Sequence, residues 1–297
     1  MPLRPPLVSV AELSAAIDAP AGDALGSISI IDVRWVLGRP GAGRAAYDAG
    51  HIPRARFLDL DTDLVAPQGP GRHPLPSPAD FVMLLRASGI GDDTFVVAYD
   101  DVGGWVAARL WWMLDDLGHR NVAVLDGGFP AWLAAGFPTT TAVPQPVARP
   151  GPPLHLAPAW RNVIDRAALK SRLGSLVLLD ARAGERYRGE IEPIDPVAGH
   201  IPTALSAPTG GNLGSDDRFL PPADLRARFE GFGCAAPGRG RGETVTSCGS
   251  GVSPCHHALA MRLAGLPDPL LYPGSYSDWS RAGEPVSVGP EPGAATS

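Results

Sequence analysis

Short apolar runs alternate along this chain with stretches that have the spacing of helices. The apolar runs predict buried strands over residues 27–33, 95–99, 122–125, 176–180, 244–247 and around 270–272. The intervening pattern predicts helices over residues 105–117, around 130–135 and over 254–264. Strands that alternate with helices indicate an α/β fold, in which each half of the chain forms a mainly parallel sheet flanked by helices.

Several motifs occur twice, at a nearly constant spacing of about 148 residues. They are Ile31-Asp32-Val33-Arg34 with Leu179-Asp180-Ala181-Arg182, Gly50-His51-Ile52-Pro53 with Gly199-His200-Ile201-Pro202, and Leu125-Asp126-Gly127-Gly128 before Trp132 with Leu271-Tyr272-Pro273-Gly274 before Trp279. Collinear repeats of this kind indicate two copies of one domain. We predict a first domain over residues 1–140, a linker over 141–158, a second domain over 159–288, and a disordered tail over 289–297.

Composition narrows the class of protein. With 44% hydrophobic and 19% charged residues, the chain has the composition of a soluble globular protein. A net charge of −6 without a basic cluster argues against a nucleic-acid partner, and no apolar run is long enough for a membrane span. Glu12 and Asp18 interrupt what would be a signal peptide, and three cysteines cannot form a disulfide framework. We therefore expect a cytoplasmic protein.

One loop contains the residue types of a nucleophilic site. The predicted strand over 244–247 ends at Cys248, and a proline favoured at the start of a helix follows at position 254. The residues between them are Gly249, Ser250, Gly251, Val252 and Ser253. Glycines let backbone N–H groups converge on one point, where they and the helix N-terminus would stabilise an anionic sulfur. The corresponding stretch of the first half, residues 99–104, has no cysteine.

Taken together, these motifs resemble those of the tandem-domain sulfurtransferases of the rhodanese superfamily. The resemblance covers nearly the whole chain. It implies a rhodanese fold for each half, an N-terminal domain without the catalytic cysteine, an active site that faces the domain interface, and a persulfide on Cys248. A buried and inert cysteine is the alternative from the residues alone, and the repeat argues against it.

The composition of the loop separates two sulfur donors. Thiosulfate is a dianion and would favour cations beside the nucleophile, as in family members that resemble Cys-Arg-Lys-Gly-Val-Thr. Neutral Gly249 and Ser250 make this loop similar to that of the 3-mercaptopyruvate sulfurtransferases instead. That likeness implies that Ser250, with His73 and Asp61, delivers a proton to the pyruvate enolate.

The same resemblance assigns substrate binding to Arg186 and to the rest of the loop, which comprises Gly249, Gly251, Val252 and Ser253. The guanidinium fork of arginine suits a carboxylate. Two departures stand out. Residues 192–198 lack the second arginine that the 3-mercaptopyruvate enzymes carry before the Gly-His-Ile-Pro motif, and the loop ends in Ser253-Pro254 where Thr-Ala is usual.

Other functions are weighed on chemical grounds. A thiosulfate:cyanide sulfurtransferase and a non-catalytic sulfur-carrier or binding module remain as alternatives. A cysteine phosphatase would need arginine at position 254, which is proline. Cys255, His256 and His257 lack the paired spacing of a structural zinc site, so no metal and no cofactor are predicted. The expected partners are a small-molecule sulfur donor and a thiol acceptor, such as thioredoxin, or cyanide.

Overall fold

The computed structural model describes residues 5–19, 27–147, 151–234 and 243–295, which form two compact units. The first unit holds the described residues of 1–65, 76–161 and 216–218, and the second holds those of 66–75, 162–215 and 219–297. Each unit is built on its own parallel sheet, so the predicted α/β fold is confirmed. The short segment Ala66–Leu75 belongs to the second unit, although it lies within the first repeat of the sequence.

The first unit contains a five-stranded parallel sheet in the order β1-β5-β4-β2-β3. Its strands are β1 (Leu7–Val8), β2 (Ile28–Asp32), β3 (Arg56–Phe57), β4 (Phe95–Tyr99) and β5 (Val122–Leu125). Its helices are α1 (Val10–Asp18), α2 (Ala42–Ala49), α3 (Pro78–Ala87), α4 (Ala107–Asp116) and α5 (Gly128–Ala134). All five residues of β4 are buried, as expected for a central strand covered by helices on both faces.

The second unit repeats this arrangement with a four-stranded parallel sheet in the order β7-β6-β8-β9. Its strands are β6 (Val177–Asp180), β7 (Leu205–Ser206), β8 (Thr244–Ser247) and β9 (Leu270–Leu271). Its helices are α6 (Arg166–Lys170), α7 (Gly184–Tyr187), α8 (Pro222–Gly231), α9 (Pro254–Leu263) and α10 (Ser275–Arg281), with a 3₁₀ helix at Thr209–Asn212. A single parallel bridge between Val163 and Leu271 stands where the first unit has β1.

The repeated Asp-x-Arg motifs make the same buried contacts in both units. In the first unit the guanidinium of Arg34 binds both carboxylate oxygens of Asp32 and donates to the carbonyl of Gly50 at 2.7 Å. This bidentate pair is buried, and it ties the end of β2 to the Gly-His-Ile-Pro turn. The second unit makes the same contacts with Asp180, Arg182 and Gly199.

The two motif histidines are buried in matching positions. His51 stacks on Tyr47 with ring centroids 3.8 Å apart, and its Nδ1 lies 2.8 Å from the Tyr47 carbonyl oxygen. His200 stacks on Tyr187 at the same distance and contacts that residue's carbonyl oxygen in the same way. Because these contacts recur in the unit without a cysteine, they belong to the fold.

Two connecting segments are more ordered than their composition predicts. Within the predicted linker, the carbonyl oxygen of Pro152 accepts a hydrogen bond from Arg86 Nε at 2.9 Å. The segment 289–297, for which we predict a disordered tail, is hydrogen-bonded at two points: Gly289 N donates to Arg188 O, and Pro292 O accepts from Thr203 N, while residues 296–297 lie outside the described residues. Backbone hydrogen bonds offset the entropy that a Pro-Gly-rich composition would otherwise retain. Within the described ranges, every helix is too short or too polar to cross a bilayer.

Candidate active site

Cys248 follows β8 directly and lies at the carboxyl edge of the second sheet. Its side chain is almost completely buried, with 4% of the residue exposed. Residues 248–253 form a tight turn before α9 begins at Pro254. We call this turn the Cys248 loop. Strand, loop and helix thus follow one another as the sequence predicted.

The sulfur of Cys248 accepts hydrogen bonds from the backbone of its own loop. Ser250 N lies 3.2 Å and Gly251 N 3.1 Å from Sγ. Two convergent N–H dipoles, reinforced by the N-terminus of α9, favour negative charge on this atom. The loop can therefore stabilise a thiolate, and equally the sulfur anion of a persulfide.

The shape of the loop depends on two backbone positions. Gly251 has a φ of +86°, and a Cβ there would stand 2.2 Å from the carbonyl oxygen of Pro273. Ser275 also has a positive φ, +52°, which is strained for a residue with a Cβ. Its hydroxyl accepts from Cys248 N at 3.1 Å and donates to Tyr272 O at 2.9 Å. The strain is thus associated with a contact that holds the backbone of the nucleophile.

Ser250 and His73 meet in the second unit, although 177 residues separate them. His73 Nδ1 lies 2.8 Å from Ser250 Oγ, and both side chains are largely buried. Which of the two atoms donates depends on the tautomer of the imidazole. A hydroxyl paired with an imidazole beside a nucleophilic sulfur is an arrangement that can move a proton.

Asp61 lies in the first unit. Its Oδ2 accepts a hydrogen bond from Trp35 Nε1 at 2.8 Å, and its own N–H donates to Asp59 at 2.8 Å. These contacts fix the direction of the carboxylate within that unit. The participation of Asp61 in proton transfer stays a prediction.

Arg186 extends from α7 and is held by two carboxylates. It binds Glu192 through Nε at 3.2 Å and through Nη2 at 2.6 Å, and Nη2 also reaches Asp195 at 3.3 Å. Burial would raise the pKa of Glu192, but the hydrogen bonds from Arg186 and from nearby backbone N–H groups hold it below its ordinary value. The guanidinium is therefore fixed in position beside the loop.

A second guanidinium, for which no motif in the sequence predicts a role, lies beside the same glycine. A Cβ on Gly249 would stand 2.8 Å from Arg72 Nη2 and 3.4 Å from Arg186 Nη1. The neutral loop composition therefore does not describe its surroundings, because two cations from distant parts of the sequence approach it. The position of Arg72, directly before His73, was the available signal in the sequence.

The last two residues of the loop, Val252 and Ser253, make backbone contacts with the start of α9. Val252 is buried, and its carbonyl accepts from Cys255 N at 3.3 Å, whereas Ser253 O accepts from His256 N at 3.1 Å. Both contacts belong to the first turn of α9. His256 and His257 point their Nδ1 atoms at the amide of Asn212, at 3.0 and 2.9 Å.

The three cysteines differ in their surroundings, although all are free and buried. Cys234 is packed in a hydrophobic cluster, and burial raises the pKa of its thiol. Cys255 lies on α9 with Sγ 3.8 Å from Gly251 O. Of the three, Cys248 is the one whose sulfur accepts backbone hydrogen bonds from a glycine loop.

The corresponding loop of the first unit has an aspartate in place of the nucleophile. Asp100 follows β4 as Cys248 follows β8, and we call residues 100–106 the Asp100 loop. The Asp100 carboxylate is fully buried and accepts four backbone hydrogen bonds, from the N–H groups of Val102, Gly104, Val106 and Ala107 at 2.8 to 3.0 Å. The chain itself fills this anion site.

Comparison with known proteins supports the interpretation of the sequence repeat as two copies of one domain. The profile of the rhodanese-like domain matches residues 9–135 and again residues 165–282. A probable 3-mercaptopyruvate sulfurtransferase of Pseudomonas aeruginosa is 46% identical over 95% of this chain and 98% of its own length. A putative thiosulfate sulfurtransferase, SseB of Mycobacterium tuberculosis, is 41% identical over 92% of this chain and 93% of its own length.

Solved structures agree with these matches. The crystal structure of SseA from Escherichia coli, described as a 3-mercaptopyruvate sulfotransferase, superposes with a TM-score of 0.75 at 29% identity. The superposition covers 92% of this chain and all of that one.

Proposed function

We propose that this chain, which belongs to the rhodanese family, is a sulfurtransferase that takes sulfur from 3-mercaptopyruvate onto Cys248 and passes it to a thiol or to cyanide. The observation that carries the proposal is the pair of backbone N–H groups that donate to Cys248 Sγ. Those donors stabilise negative charge on sulfur before and after the transfer, which is what a persulfide carrier requires.

In the first half-reaction the Cys248 thiolate attacks the sulfur of 3-mercaptopyruvate. A sulfur–sulfur bond forms while the bond between sulfur and carbon breaks, and its electron pair passes to the carbon fragment as an enolate. The proton of the donor thiol must reach that carbon to give pyruvate, which leaves an anionic persulfide on Cys248. Ser250 and His73, hydrogen-bonded to each other at 2.8 Å, form the proposed path for this proton.

In the second half-reaction an acceptor removes the outer sulfur. A thiol attacks that atom, the sulfur–sulfur bond breaks, and its electron pair returns to Cys248 as a thiolate. The acceptor leaves as its own persulfide, and cyanide would leave as thiocyanate. A protein thiol such as that of thioredoxin fits this chemistry, and its identity as the acceptor stays a prediction.

The donor is tested by its kinetics. We expect a higher kcat/KM with 3-mercaptopyruvate than with thiosulfate, because neither Gly249 nor Ser250 places a cation on the loop itself. Both donors are assayed side by side with the same thiol acceptor. A higher kcat/KM with thiosulfate would contradict 3-mercaptopyruvate as the donor, and it would not contradict the sulfur-transfer activity.

Thiosulfate is the second candidate for one specific reason. Arg72 and Arg186 both approach Gly249, and two cations could receive a dianion. The carboxylates of Glu192 and Asp195 are paired with these arginines, and they oppose the binding of a dianion more than that of a monoanion.

The carrier residue is tested separately. After incubation with donor and without acceptor, intact mass and peptide mapping should locate one added sulfur on Cys248. Blocking the protein with iodoacetamide beforehand is the control. Sulfur on Cys234 or Cys255, with Cys248 unmodified, would contradict the assignment.

A further inference from the structure

We propose that the first unit contains a binding site for a phosphate monoester, in a cleft lined by Arg54 and Arg56. This cleft, which we call the Arg54 cleft, has a volume of about 560 Å³. It lies at the amino ends of β2 and β4, where Ser27 and Thr94 precede the two strands. The Asp100 loop follows the carboxyl end of β4, so the two features lie at opposite edges of one sheet. The proposal depends neither on the sulfur donor nor on the transfer reaction.

The first argument is the charge of the Arg54 cleft. None of the described residues that line it is an aspartate or a glutamate. Arg54 Nη1 donates to Ile17 O at 3.2 Å, and Arg56 Nη2 donates to Gln145 O at 2.6 Å. These carbonyl oxygens orient the two guanidinium groups without neutralising them, since neither arginine forms an ion pair with any residue that the structure describes. In a protein with a net charge of −6, two cations that share a cleft and lack a counterion attract an anion.

The second argument is the presence of neutral hydrogen-bond donors in the same cleft. Thr94 Oγ1 accepts from Gly91 N at 2.9 Å and from Ser27 Oγ at 3.1 Å. Thr140 Oγ1 accepts from Ala142 N at 3.0 Å. Each threonine hydroxyl therefore still has its hydrogen to donate. Arginine forks together with hydroxyl groups are well suited to phosphate oxygens.

The third argument comes from the other repeat. Pro53-Arg54-Ala55-Arg56 corresponds to Pro202-Thr203-Ala204-Leu205, so neither cation recurs at the matching position of the second repeat. Thr203 has the same φ as Arg54, +70°, which shows that the backbone of this turn belongs to the fold. The two arginines do not belong to it in that sense, because the second unit forms the same turn without them. They are a feature of the first unit that folding does not require.

The size and the walls of the cleft favour an ester over a free ion. A phosphate ion would fill only a small part of about 560 Å³. Ile28, Val143 and Pro144 also line the cleft, and these apolar side chains can pack against an organic group. A phosphate monoester carries a charge of about −1.5 to −2 at pH 7, which matches two guanidinium groups, whereas a carboxylate carries a single charge.

Isothermal titration calorimetry at constant ionic strength tests the class of ligand with four probes. They are phenyl phosphate, AMP, inorganic phosphate and benzoate. We expect both esters to bind, inorganic phosphate to bind roughly tenfold more weakly because it leaves the apolar wall uncovered, and benzoate to give no detectable heat. If neither ester binds, the proposal is wrong. If inorganic phosphate binds as tightly as the esters, the ester is wrong and the cleft holds a free ion.

The position of the site is tested by removing its cations. Arg54→Gln and Arg56→Gln should each raise the Kd of phenyl phosphate by about tenfold or more, as expected for the loss of a charge-assisted hydrogen bond. Arg39→Gln is the matched control, because it removes the same charge from an exposed position of the first unit that does not line the cleft. It should leave the Kd unchanged. If the two cleft variants also keep the Kd within twofold of the unmodified protein, phosphate binds elsewhere and the proposal is overturned.

Arg54→Gly separates loss of binding from damage to the fold. Glycine adopts a φ of +70° without strain, so this variant should unfold at the same urea concentration as the unmodified protein or at a higher one. It should nevertheless lose as much affinity as Arg54→Gln. Val143→Ser, at a largely exposed position of the apolar wall, should weaken phenyl phosphate and leave inorganic phosphate unchanged. A stable Arg54→Gly protein that keeps its affinity would contradict the site.

Discussion

In both the Cys248 loop and the Asp100 loop, backbone N–H groups donate hydrogen bonds to the side chain of the first loop residue. Each follows the central strand of a parallel sheet and leads into a buried helix. In the first unit, the backbone N–H groups converge on a carboxylate that the chain supplies. In the second, they converge on Cys248 Sγ, the atom on which the proposed persulfide forms. The N–H groups alone therefore make an anion site, and the residue at its centre decides whether chemistry follows.

The residues that pack against the backbone of the two loops also differ, and they are Gly128 in the first unit and Ser275 in the second. In the first unit Gly128 has a φ of +57°, and a Cβ there would stand 2.4 Å from the carbonyl oxygen of Asp100. In the second unit Ser275 holds the corresponding place with a similar φ, and its hydroxyl binds Cys248 N. A strained side chain is therefore present behind the nucleophile and absent behind the aspartate.

The largest effect should come from removing the nucleophile. Cys248→Ser should abolish sulfur transfer, because a hydroxyl is a far weaker nucleophile than a thiolate and forms no persulfide. The free energy of unfolding should change by less than about 1 kcal/mol, since the two side chains are similar in size. Stopped assays and urea unfolding measure both. Residual transfer above the level of the iodoacetamide-blocked protein would contradict the role of Cys248.

The proton path should have the next largest effect. Ser250→Ala should slow persulfide formation from 3-mercaptopyruvate by roughly 10² to 10⁴, the usual contribution of general acid–base catalysis. His73→Ala should resemble it, and the double variant should lose little more, because residues that act as a unit are non-additive. Rapid mixing separates the two half-reactions, and transfer from a preformed persulfide should change far less. Additive losses, or equal losses in both half-reactions, would show that Ser250 only shapes the loop.

The aspartate of the first unit should govern stability and leave chemistry intact. Asp100→Ala leaves four buried N–H groups without their acceptor and should cost about 3 to 5 kcal/mol of unfolding free energy. Urea unfolding measures this loss, and Asp101→Ala on the exposed neighbouring position is the control. A loss below about 1 kcal/mol would mean that water replaces the carboxylate readily.

The helices that follow the two loops should differ in their response to acid. Helix α4 contains buried Arg109, and helix α9 contains buried His257, whose pKa burial lowers to about 4. The unfolded chain binds this proton near pH 6.5, so stability should fall as the pH decreases from about 6.5 to 4, by about 3 kcal/mol in total. Urea unfolding across this range measures the slope, and His257→Gln should reduce it. An unchanged slope in that variant would assign the acid sensitivity elsewhere.

The smallest effect should appear at Ser275. Ser275→Gly removes the strain of a positive φ and the hydroxyl together, whereas Ser275→Ala removes the hydroxyl alone. We therefore expect the glycine variant to be more stable than the alanine variant by about 1 to 2 kcal/mol. Both should slow transfer to a similar, modest degree. Equal stabilities would show that the backbone at 275 is relaxed.

Much of the fold was predictable because buried strands leave a strong pattern. The predicted strands 95–99, 122–125 and 244–247 match β4, β5 and β8 in their bounds, and Cys248 follows β8 as expected. Other elements were missed. The capping box of Ser9 and Glu12 is a local signal that would have predicted α1. The two-residue strands β1, β3 and β7 have too few residues for periodicity to reveal.

The site was predictable where it is local in sequence. The Cys248 loop follows from glycine spacing, whereas the pairing of His73 with Ser250 followed only from the family resemblance, because contacts across more than 170 residues leave no periodic pattern in a single sequence. Arg72 was missed although it directly precedes His73. Asp195 was also missed, because such contacts leave no pattern. Its significance lies in pairing with two arginines, one of which is 123 residues away.

The ten residues Ala66–Leu75 make the two repeats depend on each other, because the first repeat encodes them and the second unit contains them. A gene cut between the repeats would encode the nucleophile on one side and Arg72 and His73 on the other. If the proposed function holds, the first repeat therefore contributes residues to the site of the second, and deleting it would remove them together with its own fold.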